Sequence, residues 1–123
     1  MQKFVTYLIL AFVFTAFSLE IAAQSVKQSP FDLTDPARID AGKARFNSLC
    51  AGYCHGNEGS GGRVPPFKGN SSLKAEEVFQ VTSEGRTGAG VMPAFKSMSE
   101  EKRWELVAYI MYLSRQKPDP SPQ

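Results

Sequence analysis

The sequence predicts an all-α domain of three main helices joined by two loops rich in glycine and proline. Three observations predict it. Apolar residues recur at three- and four-residue steps in three stretches, each stretch opens on a helix-start signal, and Gly and Pro cluster between them. No stretch reads convincingly as a strand, and no internal repeat is present.

The first helix opens at Asp35-Pro36, with Asp35 as N-cap and Pro36 at the first helical position, where its missing N–H costs nothing. It should run to about Leu49, with Ile39, Gly42, Phe46 and Leu49 on one face. Glycine is costly inside a helix, so Gly42 implies that another helix comes close there. The second helix is signalled by Ser72 as N-cap and by Glu76 and Glu77 near its positive end; it stops at Glu84, with Gly85 as C-cap. The third starts at Ser99 with Glu100 and Glu101 in its first turn and runs to about Gln116, before Pro118. It carries two apolar stripes. Trp104, Val107, Ala108 and Met111 form one, and Leu106, Tyr109, Ile110 and Leu113 form the other, so this helix should touch two surfaces. Gly56, Gly59, Gly61, Gly62, Pro65 and Pro66 define the first loop, and residues 87–95 the second.

The ends read differently. Met1-Gln2-Lys3, the apolar run Phe4 to Leu19 and the closing Ala22-Ala23 describe a secretory signal peptide over residues 1–23, cleaved after Ala23. The run is short for a membrane span; left uncleaved, it would be an anchor. Residues 24–34 are polar and form a flexible lead-in, residues 35–117 the domain, and residues 118–123 a Pro-rich disordered tail. A formal net charge of +2 with no basic run argues against nucleic acid as a partner. A domain this small gains from a bound cofactor.

The chemistry gathers in Cys50-Ala51-Gly52-Tyr53-Cys54-His55, which holds both cysteines and the single histidine. Covalent haem attachment uses two thiols and an adjacent imidazole, usually spaced C-x-x-C-H; here the spacing is C-x-x-x-C-H. A disulfide would leave the histidine unexplained. Zinc would need a fourth ligand, and no other Cys or His exists. A catalytic Cys/His pair lacks an orienting third group. If haem sits beside His55, the first loop must cover one side of it, with Phe67 as an inward apolar contact.

Over nearly all of residues 24–123 the sequence resembles the class I c-type cytochromes, small monohaem electron-transfer proteins. The resemblance rests on Gly42-Lys43-Ala44-Arg45-Phe46-Asn47-Ser48-Leu49-Cys50, on Cys54-His55-Gly56 and on Pro65-Pro66-Phe67-Lys68-Gly69. It continues through Val91-Met92-Pro93-Ala94-Phe95 and Trp104-Glu105-Leu106-Val107-Ala108-Tyr109-Ile110. It implies one haem c per chain, linked by thioethers to Cys50 and Cys54, with His55 and Met92 as axial iron ligands. It also implies that the Pro65 carbonyl accepts from the free ring N–H of His55, and that Gly42 and Phe46 meet Tyr109 where the first and last helices cross. Against the usual Cys-Ala-Gly-Cys-His, Tyr53 looks inserted; a one-residue bulge at Gly52-Tyr53 is expected, with Gly52 absorbing the irregularity.

The resemblance implies no enzyme. The expected function is a periplasmic electron carrier between a dehydrogenase, of which quinoproteins are one kind this family serves, and an oxidase or another cytochrome. The rival is a haem-based sensor or small-ligand binder in which Met92 leaves the iron open. Arg63, Lys68, Lys74, Arg86 and Lys96 flank the loops; they read either as a docking face for an acidic partner or as ordinary solvated charge.

Overall fold

The computed structural model describes residues 27–88 and 90–120; the expected signal peptide, the start of the lead-in and residues 121–123 lie outside the described residues. Three α-helices are present, α1 (Pro36–Leu49), α2 (Ala75–Glu84) and α3 (Glu100–Ser114), and no strand is formed among the described residues. No described helix is long and apolar enough to cross a membrane.

Helix α1 begins as expected, with the Asp35 carboxylate accepting from the Ala37 N–H at 2.9 Å and Pro36 following it. It crosses α3 at Gly42. A Cβ there would lie 2.0 Å from the Glu105 carbonyl oxygen and 2.9 Å from Tyr109 Cβ, so only glycine permits the approach. One turn on, the Phe46 and Tyr109 rings meet edge to face, 5.4 Å between centroids.

Glu105 is nearly buried in the same crossing. It receives Arg38 at 3.0 Å and Arg45 at 2.8 Å, two arginines seven residues apart on one face of α1. A carboxylate taken out of water needs such partners, so the register of α1 on α3 is fixed by charge as well as by shape.

The two stripes of α3 part as the sequence implies. Leu106, Tyr109, Ile110 and Leu113 join Phe46 and Ala51 in one core, against which Cys50, Phe67 and Met98 pack. Trp104 and Val107 join Phe79 of α2 in a second core, with Met111 against it; the Trp104 and Phe79 rings stack at 4.2 Å.

Three expectations are corrected. Ser72 does not cap α2: its hydroxyl and N–H both go to the Asn70 side-chain oxygen, at 2.6 and 3.3 Å, in a local turn that delays the helix to Ala75. Helix α3 ends at Ser114, two residues before Gln116, with Arg115 as C-cap. Residues 27–34 are not a free lead-in, because Phe31 and Leu33 pack on the second core and Arg38 lies over the Phe31 ring at 4.4 Å. At the other end residues 118–120 are exposed, yet Pro118 sits against Gly69 and Asp119 pairs with Lys68 at 2.9 Å.

Candidate functional site

The site grows out of the end of α1. Cys50 is the C-cap, its N–H still bonded to the Phe46 carbonyl at 2.8 Å. The chain then enters a π-helical turn over Ala51–His55, closed by the His55 N–H on the Cys50 carbonyl at 3.2 Å, an i to i+5 bond. A π turn holds about one residue more than an α turn. The extra residue between the cysteines is therefore taken up by widening the turn. The one-residue bulge expected at Gly52-Tyr53 therefore takes the form of a π turn over Ala51–His55, while the irregularity expected of Gly52 itself is corrected, since Gly52 is not among the residues of positive φ.

Gly56 ends the turn at φ 71°, ψ 166°, a region open essentially to glycine alone. The covering loop then folds back, with the Gly61 N–H on the His55 carbonyl and the Phe67 N–H on the Gly59 carbonyl, each at 2.9 Å. This brings Phe67 onto the imidazole of His55, ring centroids 4.8 Å apart and nearly parallel, while Phe46 lies 5.9 Å away on a tilt. The inward role expected of Phe67 is met.

His55 Nδ1 is buried and has no hydrogen-bond partner among the described residues. The expected bond to the Pro65 carbonyl is thus not formed. The two backbone bonds that pin the loop set the Phe67 ring against the imidazole, and Pro65 is left exposed. Burial lowers the His55 pKa below its ordinary value, so the ring is neutral, the form that ligates a metal.

Cys50 and Cys54 are free thiols, both half-buried. Burial, and secondarily the neighbouring Cys54, push the Cys50 pKa up to about 11, which leaves it protonated at neutral pH and argues against a catalytic thiolate. No cluster of three or more His, Cys, Asp or Glu side chains fit for a metal ion exists among the described residues, so a zinc site has no support.

Met92 is placed by the second loop. Gly85 caps α2 at φ 76°, and Arg86 and Met92 then exchange backbone hydrogen bonds at 2.9 Å each. Met92 is half-buried but packs against neither core, whereas Met98 packs on the first and Met111 on the second. Its neighbour Val91 is 80 % exposed.

The five cations expected beside the loops are mostly engaged. Lys68 pairs with Glu58 and Asp119, which raise its pKa, Lys74 pairs with Glu77 and Lys96 with Glu84. Arg63 lies over the Tyr53 ring. Sequence reasoning missed that contact and the Glu105 pairs. The spacing of Arg38 and Arg45, with Glu105 set inside the apolar stretch of α3 that follows its charged first turn, is the available signal for the pairs.

Two unpaired thiols on one turn and an adjoining neutral imidazole fit a covalent haem. Comparison with known proteins agrees. No curated protein and no solved structure matches the chain at a significant level. A family model described as cytochrome c oxidase, cbb3-type, subunit III, matches residues 37–110, more than half of the chain. The chain belongs to that family, and it is a small c-type cytochrome whose covalently bound haem c serves electron transfer.

Proposed function

We propose that this is an exported monohaem cytochrome, a periplasmic single-electron carrier between a dehydrogenase, quinoproteins included, and a terminal acceptor, with His55 and Met92 as axial ligands. When bound, the haem supplies an iron that changes charge by one electron. The chain's residues hold that change in a fixed setting. Burial keeps His55 neutral and ready to ligate, and Phe46 and Phe67 shield its ring from water. The π turn sets Cys50 and Cys54 one widened turn apart, and on this reading both carry thioether links. The description of the matched family supports an oxidase as acceptor. The segment ending at Ala23 supports export, with a mature chain beginning at Gln24.

The observation that carries the ligand assignment is that Met92 alone of the described methionines is spared from both cores. Its soft thioether suits low-spin iron and raises the reduction potential. The oxidised protein should show the sulfur-to-iron charge-transfer band and resist carbon monoxide. Met92→Ala should abolish the band, admit carbon monoxide and lower the potential by on the order of 0.1 V, within the roughly 0.8 V that axial ligands span. A wild-type protein without the band that binds carbon monoxide readily would favour a ligand-binding sensor instead.

A further inference from the structure

Tyr53, one of the three residues between the cysteines, leaves its ring outside the core, 70 % exposed. It is not without a partner. The Arg63 guanidinium carbon lies 4.1 Å from the ring centroid, a cation–π contact, and Arg63 forms no ion pair among the described residues.

Arg63 belongs to the covering loop, and its contact completes a series. The Gly61 N–H donates to the His55 carbonyl at 2.9 Å. At Gly62 an added Cβ would lie 3.2 Å from the Cys54 carbonyl oxygen, so the two backbones already approach closely. Arg63 then meets Tyr53. Three consecutive loop residues, 61, 62 and 63, thus face three consecutive turn residues, 55, 54 and 53, in antiparallel order. The first two contacts are made by backbone and glycine. The third is the one made between side chains, and it depends on Tyr53.

We propose that Tyr53 is a positioning residue: its ring clasps Arg63 and closes the covering loop against the haem-attachment turn, limiting how much water reaches that side of the cofactor. The proposal rests on the reading of the turn as a haem-attachment site. Water stabilises the more highly charged oxidised iron, so a looser loop lowers the reduction potential.

The test uses haem-loaded protein and the variants Tyr53→Ala, Tyr53→Phe and Arg63→Ala. Hydrogen exchange at the Gly61 amide reports the loop directly, and the potential reports the water. Tyr53→Ala and Arg63→Ala should each speed Gly61 exchange by about two- to five-fold, the scale of an exposed cation–π contact, and combining them should add little. Tyr53→Ala should lower the potential, while Tyr53→Phe, which keeps the ring, should match wild type in both readouts. Unchanged Gly61 exchange in Tyr53→Ala overturns the clasp, as does a Tyr53→Phe protein that behaves like Tyr53→Ala. An alkaline pyridine spectrum of the wild type tests the haem reading separately, so the two failures are distinguishable.

Discussion

Replacing Gly42 with alanine lowers the melting temperature of the haem-loaded protein by about 10–20 °C. In an isolated helix the same change would be favourable by about 1 kcal/mol, because glycine is the poorer helix former. The crossing reverses the sign. The new Cβ would lie 2.0 Å from the Glu105 carbonyl oxygen, where ordinary contact begins at 3.4 Å, and both groups belong to backbone that cannot rotate away. The helices must separate. Separation weakens the Phe46–Tyr109 contact and pulls Glu105 away from Arg38 and Arg45. Overpacking of this kind costs about 3 kcal/mol, a large part of the 5–15 kcal/mol roughly typical of a domain. A thermal melt that rises or stays level would show that α1 and α3 do not cross at Gly42.

The second large effect is expected at Gly56. Alanine there meets two obstacles. The backbone sits at φ 71°, ψ 166°, where a side chain costs about 1–3 kcal/mol. Its Cβ would also lie 2.0 Å from the Gly61 carbonyl oxygen. To escape, the loop must lift, which breaks the Gly61 to His55 bond and removes Phe67 from the imidazole. The urea midpoint should fall by an amount equivalent to about 3 kcal/mol, and the yield of covalently loaded protein should fall with it. Wild-type yield and midpoint together would mean that the loop is not anchored through this turn.

Much of this architecture is legible in the residues because it rests on local signals. Asp35-Pro36 starts α1 where capping chemistry says it must, and the two stripes of α3 segregate onto two cores because helical periodicity decides which side chains share a face. Gly42 is legible as a close approach because a mid-helix glycine needs a reason. What local signals miss is competition. Ser72 has the chemistry of a cap, but Asn70 offers its side-chain oxygen first.

The site was legible in its residue types and less so in its backbone. Glycine looked like the means of absorbing an extra residue because it is conformationally free. The bulge is there, but the whole turn makes it by lengthening one hydrogen-bond step, with no positive φ at Gly52 and the turn's closing bond kept. Neither the ring of Phe67 on His55 nor the missing Pro65 bond could be read in advance, since both depend on how the loop is pinned. The Glu105 pairs depend on the register of two helices distant in sequence.

The central claim is that the widened turn carries one haem through both cysteines. It is tested most directly by alkylating the denatured, reduced protein and weighing its proteolytic fragments. The peptide containing residues 50–55 should carry the mass of one haem, with neither Cys50 nor Cys54 available to the alkylating reagent. An alkylated Cys50 beside a haem held by Cys54 alone, or a peptide with two alkylated thiols and no haem, would contradict the account.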